Sequence, residues 1–144
     1  MFHDMVFTGK TILLVDDDLC VLNQVEAQLC ALGVKRVLTA TTLGDARDWI
    51  AEDVISLALL DVNLQHGETT VDLGWDLARN GLPVVFFSGF NYEAMSRLTR
   101  GFELLEKPVS LPRLKAAILR AILRAPHMGD YPTAKKMAGR EARQ

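Results

Sequence analysis

Residues 11–18 read TILLVDDD, an apolar run from Thr11 to Val15 that stops abruptly at three consecutive carboxylates, Asp16, Asp17 and Asp18. A run this short and this uniformly apolar suits a strand buried on both faces, as in a parallel sheet. The period then changes. Leu22, Val25, Leu29 and Leu32 recur at helical spacing, Asp18 stands where a cap belongs, and Gly33 is a natural stop. The alternation repeats along the chain. Val34–Thr39 reads as a second strand. Thr42, with Asp45 three residues on, resembles a capping box ahead of a helix whose apolar face carries Leu43, Ala46 and Ile50. Ile55–Leu60 is a third buried run, ended by Asp61, and a polar loop from Asn63 to Thr70 leads into a helix around Val71–Arg79. Gly81, Leu82 and Pro83 precede a fourth strand, Val84–Phe87, which ends at Ser88 and Gly89. Asn91 is expected to cap a helix to about Thr99. Phe102–Leu105 is a fifth strand, closed by Lys107 and Pro108. Ser110 caps the last helix, with Leu111, Leu114, Ile118 and Ile122 on its apolar side. Pro112 falls in its first turn, where a missing N–H costs nothing.

Five strands alternating with five helices predict an α/β fold, a flavodoxin-like (βα)5 three-layer sandwich with a parallel sheet in the order 2-1-3-4-5. Residues 10–124 form the domain, residues 1–9 an N-terminal extension, and residues 125–144 a polar tail expected to be mobile. In such sheets, sites form at the carboxyl ends of the strands, near the switch point between strands 1 and 3.

Bulk properties exclude several classes. A chain of 144 residues suits one domain with a substantial core. At a net charge of −2 it has no basic excess of the kind a generic nucleic-acid binder carries. No apolar run approaches the roughly 20 residues needed to span a bilayer, and the opening MFHDMVFTGK lacks the basic-then-apolar pattern of a secretory signal. A cytoplasmic protein is expected. Cys20 and Cys30 fall in one helix, about 15 Å apart, beyond the ~7 Å reach of a disulfide. They read as reduced thiols.

The strand ends carry the chemistry. Strand 1 ends at Asp16 and Asp17, strand 3 at Asp61, strand 4 at Ser88 and strand 5 at Lys107. Each has an ordinary explanation by itself, as a helix cap, a turn hydroxyl or a solvated lysine. Together they place three carboxylates, a hydroxyl and an ammonium at one edge of one sheet. Three packed anions raise one another's pKa unless cations compensate. Lys107 and a divalent metal resolve that conflict, and Mg²⁺, which wants oxygen ligands and uses only one or two carboxylates, suits the set. Such a site fits phosphoryl transfer, which rests on positioning and charge neutralisation, with an Asp carboxylate as nucleophile.

LLVDDD, LALLDVN, VVFFSG and EKPV, in this order and spacing, resemble the four signature segments of response-regulator receiver domains of the CheY-like type. The resemblance covers about Lys10 to Arg124. It implies that Asp61 is the phosphoacceptor and that Asp16, Asp17, Asp61 and the backbone carbonyl of Asn63 hold Mg²⁺. Lys107 would pair with phosphoryl oxygen, and Ser88 would be the switch hydroxyl. Gly89 would leave access to the phosphoryl group, and the Lys107–Pro108 bond would be cis. The donor would be a histidine kinase or a histidine phosphotransfer protein. The output would be protein–protein contact or phosphorelay through the fourth helix, fifth strand and fifth helix, with an unidentified downstream protein. No direct DNA binding and no membrane association are expected.

Two positions depart from the pattern. Leu104 stands where many receivers carry a strand-5 aromatic, and Gln65 where a proline is common. Pro83-Val84-Val85-Phe86-Phe87-Ser88-Gly89-Phe90 and the DVNL segment resemble the FAT-GUY receivers of Alphaproteobacteria, which implies a kinase of the HWE/HisKA2 type. The rival reading is a haloacid-dehalogenase-like phosphatase using Asp16 and Asp18, which leaves Asp61 unexplained. His66 reads as a solvated loop residue, Trp49 and Trp75 as packing residues, and Phe86 and Phe87 as facing opposite sides of their strand. Phe90 is a candidate shield against water.

Overall fold

A computed structural model of the chain describes residues 2–125. The tail expectation for residues 126–144 lies outside the described residues. The elements alternate as α1 (Phe2–Phe7), β1 (Thr11–Val15), α2 (Leu19–Leu32), β2 (Arg36–Ala40), α3 (Leu43–Glu52), β3 (Leu57–Asp61), α4 (Val71–Arg79), β4 (Val84–Ser88), α5 (Tyr92–Leu98), β5 (Glu103–Glu106) and α6 (Leu111–Arg124), with a 3-10 turn at Gln65–Gly67. The strands pair in parallel in the order β2-β1-β3-β4-β5, the expected flavodoxin-like arrangement.

Every residue of β1, β3 and β4 is buried, because these three strands lie between neighbours and beneath helices on both sides. Alternate residues therefore feed two cores. Ile12, Leu14, Leu57, Leu59, Val85 and Phe87 pack with α2 and α6. Leu13, Val15, Ala58, Leu60 and Phe86 pack on the other face with α3, α4 and α5. Phe86 and Phe87 thus point to opposite faces, as period-2 alternation requires. Each fully buried side chain of this size contributes about 1.5–3 kcal/mol.

The caps follow local chemistry. Asp18 accepts from the N–H groups of Cys20 and Val21, Thr42 from Asp45 and Ser110 from Arg113. Gly33 closes α2 at a φ of 93°, a left-handed value that suits glycine. Cys20 and Cys30 are free and exposed.

Several boundaries differ from the sequence reading. β2 begins at Arg36 rather than Val34, because the Val34 N–H returns to Leu29 at the end of α2. β3 begins at Leu57 and includes Asp61, and β5 runs one residue later than expected. Asn91 precedes α5 but makes no side-chain cap; it takes a left-handed turn at φ 59°, a conformation asparagine tolerates better than most residues.

Two packing features lay outside the expectations. Residues 2–7 form a short helix whose Phe7 is fully buried in the α2–α6 core. Gly74 sits in α4 where a Cβ would lie 2.3 Å from the Phe86 ring, so only glycine lets helix and strand approach this closely. Trp75 meets Phe102 edge-to-face at 4.8 Å, and Phe102 meets Phe86 likewise at 5.2 Å. Trp49 packs against the second core and donates to the Thr39 carbonyl at 2.9 Å.

Candidate functional site

Parallel pairing brings the strand ends to one edge. Val15 is in register with Leu60, so the next residues, Asp16 and Asp61, leave β1 and β3 side by side at the switch point. Asp61 is in register with Phe87 and Ser88 with Glu106, which sets Ser88 and then Lys107 beside them. The Lys107 N–H donates to the Ser88 carbonyl at 2.9 Å, and the Lys107–Pro108 peptide is cis.

Asp16, Asp17 and Asp61 each place a carboxylate oxygen within 4.8 Å of the others. Asp16 is fully buried, Asp61 nearly so, and Asp17 half-exposed. The Lys107 ammonium lies 2.5 Å from Asp16 Oδ2 and 3.3 Å from Asp61 Oδ2. Asp16 Oδ1 accepts from the Asp18 N–H at 2.9 Å, whereas buried Oδ2 accepts no hydrogen bond of regular geometry and relies on the Lys107 charge. Burial, then the Asp16 charge, pushes the Asp61 carboxyl up to about 7 against the pull of Lys107. Burial pulls Lys107 down, but its bond to Asp16 and the Asp61 charge outweigh this and hold it above the usual lysine range.

Among the described residues, one cation, Lys107, pairs with this set of three carboxylates. The donor set is all oxygen, compact and short of positive charge, which fits a hard divalent ion such as Mg²⁺ and does not suit a soft one.

Ser88 is buried, and its hydroxyl donates to the Phe90 carbonyl at 3.0 Å, tying it to the β4–α5 loop. A Cβ on Gly89 would meet Lys107 Cδ at 3.6 Å, an ordinary contact. The Phe90 ring is 79% exposed. His66 is exposed, in a left-handed turn at φ 62°. Asp18 stands apart from the cluster: it is exposed, and its carboxylate is spent on the α2 cap. The phosphatase alternative built on Asp16 and Asp18 is therefore not favoured.

Two residues escaped the sequence reading. Thr70 is fully buried, and its hydroxyl donates to the Asp61 carbonyl at 2.8 Å while its N–H donates to the Val62 carbonyl at 3.0 Å. With a bridge between Asn63 and Thr69, these bonds fold the loop back on itself and fix the backbone that carries Asp61. The Asn63 amide, in turn, donates to Met95 Sδ at 3.2 Å, linking this loop to α5. A threonine in a polar loop and a methionine on a short helix carry no signal for either contact.

No protein-family model and no curated protein sequence matches the chain. Solved structures do. SdrG from Sphingomonas melonis Fr1 is 30% identical at a TM-score of 0.71, with 80% of this chain and 97% of that one covered. A CheY-like response regulator receiver domain protein from Methanospirillum hungatei JF-1 is 25% identical at a TM-score of 0.67, over 85% of this chain and all of that one (100%). The PhyR response regulator REC domain of Erythrobacter litoralis shares the fold at 24% identity and a TM-score of 0.69, over 82% of this chain and 93% of that one.

Proposed function

The chain belongs to the CheY-like receiver domains of response regulators, and from that premise we propose that it accepts a phosphoryl group on Asp61 from a phosphohistidine. The observation that carries this reading is the set of three carboxylates within 4.8 Å, one of them at the end of β3, with Lys107 beside them.

An Asp61 carboxylate oxygen attacks phosphorus in line with the histidine nitrogen. The new O–P bond forms as the N–P bond breaks, and the nitrogen keeps the bonding pair and is protonated as imidazole. Asp61 attacks only when ionised, so a carboxyl held up near 7 needs further positive charge at the site. Asp16, Asp17, Asp61 and the Asn63 backbone carbonyl would hold Mg²⁺, which would keep Asp61 ionised and neutralise charge on the phosphoryl oxygens. Lys107, already within 3.3 Å of Asp61, supplies a fixed ammonium for one of those oxygens. Ser88 exchanges its bond to the Phe90 carbonyl for one to the phosphoryl group, which biases the β4–α5 loop between two arrangements. Attack by water on the acyl phosphate then returns inorganic phosphate and the free carboxylate.

The donor is a histidine kinase or histidine phosphotransfer protein. The Pro83–Phe90 segment favours the HWE/HisKA2 type through its likeness to FAT-GUY receivers. Output runs through protein–protein contact or onward phosphorelay. Among the described residues no helix is long and apolar enough to cross a membrane.

The test is intact-mass and tryptic analysis after incubation with Mg²⁺ and acetyl phosphate, and with a panel of phosphorylated histidine kinases. A base-labile adduct of one phosphoryl group, located at Asp61 and lost in Asp61→Asn, is the expected result. Labelling that survives Asp61→Asn but disappears in Asp16→Asn, or no labelling from any donor, would overturn the reading.

A further inference from the structure

Thr70 stands at the start of α4, where a threonine side chain ordinarily accepts a hydrogen bond from the second or third N–H of the helix. It makes no such cap. Its side chain is fully buried, and the hydroxyl donates instead to the Asp61 carbonyl at 2.8 Å. The start of α4 forgoes its cap, and the hydroxyl holds the backbone of the residue proposed as phosphoacceptor.

That bond closes a small hairpin. The Leu64 N–H donates to the Glu68 carbonyl at 2.9 Å and the Thr70 N–H to the Val62 carbonyl at 3.0 Å, with Asn63 opposite Thr69 between them. His66 and Gly67, at φ 62° and 75°, turn the chain back, and the Glu68 N–H reaches the Gln65 carbonyl at 3.4 Å across the turn. One arm, residues 61–64, carries two of the proposed Mg²⁺ ligands, the Asp61 carboxylate and the Asn63 carbonyl. The other arm ends at Thr70.

Thr70 fixes the first arm at consecutive points. The peptide between Asp61 and Val62 is held on both sides: its N–H donates to the Phe87 carbonyl at 3.0 Å, and its carbonyl accepts from the Thr70 hydroxyl. The next carbonyl, that of Val62, accepts from the Thr70 N–H. Asn63 and Thr69 form the non-bonded pair between the two ladder bonds, which leaves the Asn63 carbonyl outside the ladder. One residue therefore pins the two carbonyls that precede the proposed backbone ligand.

We propose that Thr70 is a positioning residue for Mg²⁺-dependent phosphoryl acceptance, its hydroxyl latching the hairpin so that the Asp61 carboxylate and the Asn63 carbonyl are set relative to each other before an ion binds. The inference rests on the roles of Asp61 and Asn63 given above and deepens them. Without the hydroxyl, the Asp61 carbonyl loses this donor, and the arm that carries both ligands has to be ordered at the moment of binding, which lowers affinity. Thr70 acts through a hydroxyl rather than through volume. Valine, close to it in shape, removes the latch and keeps the packing.

The experiment compares the parent, Thr70→Val and Thr70→Ser as full-length nitrogen-15-labelled proteins. Hydrogen exchange is read without metal, Mg²⁺ binding by chemical-shift titration, and Asp61 labelling by acetyl phosphate across a series of Mg²⁺ concentrations. In Thr70→Val the Leu64 and Thr70 amides should exchange faster while those of β1 and β4 do not change. Its Mg²⁺ dissociation constant should rise about tenfold. The Mg²⁺ concentration for half-maximal labelling should rise in parallel, while the rate at saturating Mg²⁺ stays near that of the parent. Thr70→Ser, which keeps the hydroxyl, should follow the parent in every readout. An unchanged dissociation constant in Thr70→Val, or a Thr70→Ser variant as impaired as Thr70→Val, would overturn the proposal. If Thr70→Val does not fold, Gly67→Ala decides: it strains the exposed turn at φ 75° and its Cβ meets nothing within 4 Å, so a metal affinity equal to the parent's overturns the latch. A parent that binds Mg²⁺ but takes no label at Asp61 refutes the phosphoacceptor reading alone, and the dissociation constants still decide the role of Thr70. A parent that binds no Mg²⁺ overturns the latch as well.

Discussion

Asp61→Asn should stabilise the protein in the absence of divalent metal. Asp61 is nearly buried beside Asp16, and its carboxyl is moved from 3.8 to about 7. The sign follows from proton binding. Below about 4 the folded and unfolded chains both carry the proton, and Asp61 costs nothing. Between about 4 and 7 the unfolded chain releases it while the folded chain retains it, so stability falls as pH rises. Above about 7 both are ionised and the loss is complete. At about 1.36 kcal/mol per tenfold in proton affinity, the ceiling is about 4 kcal/mol, and water at the open edge of the site brings the expected value to about 2–4 kcal/mol. Asparagine is nearly isosteric and leaves the Lys107–Asp16 pair in place. The assay is urea unfolding of parent and variant in EDTA from pH 5 to pH 8. The variant should be the more stable at pH 8, by an amount that grows by roughly 1–3 kcal/mol across that range. Mg²⁺ should erode the difference, because a ligand at a hundred times its dissociation constant adds about 2.7 kcal/mol to the form that binds it. A variant no more stable than the parent at pH 8, or a difference independent of pH, would refute the electrostatic account of the site.

Lys107→Met removes the counter-charge from Asp16 and Asp61, and should cost about 3–5 kcal/mol in EDTA. Mg²⁺ should restore more stability to it than to the parent, as read by the shift in urea midpoint; an unchanged metal response would contradict the proposed shared role of lysine and cation. Gly74→Ala forces a methyl group against the Phe86 ring and should cost about 1–3 kcal/mol or more, with a smaller loss when Phe86→Leu is added. Additive losses in that double-mutant cycle would remove the contact as the cause. Phe7→Ala should cost about 3–5 kcal/mol in chemical denaturation, because Phe7 is fully buried although it precedes β1; a loss under about 0.5 kcal/mol would show that α1 is not part of the core.

The strands and helices were legible because local chemistry marks them. TILLV, the apolar third run and VVFF are buried on both faces, so they read as continuous apolar segments, and period-3.6 spacing marks α2 and α6. Asp18, Thr42 and Ser110 declare helix starts through hydrogen bonds that span only two or three residues. Strand ends were less legible. Pairing begins where a neighbour offers hydrogen bonds, and the Lys10 carbonyl that receives Lys35 lies 25 residues back along the chain. Asn91 was misread for a related reason. Its side chain is suited both to capping and to a left-handed turn, and the path of the loop out of Phe90 chooses between them.

The sequence by itself determined which groups reach the edge of the sheet: acids just after β1 and at the end of β3, a hydroxyl at the end of β4 and a lysine after β5, since each is attached to a strand whose direction and order follow from the alternating pattern. Only the tertiary structure decided how those groups meet. Lys107 lies closer to Asp16 than to Asp61, the Ser88 hydroxyl is engaged with the Phe90 carbonyl, and Asp18 is turned away to cap α2. It also decided what supports them. Thr70 grips the Asp61 carbonyl, and Asn63 grips Met95. These contacts join residues far apart in the chain, and their energies depend on distance and on exclusion of water, neither of which is written in the order of residues.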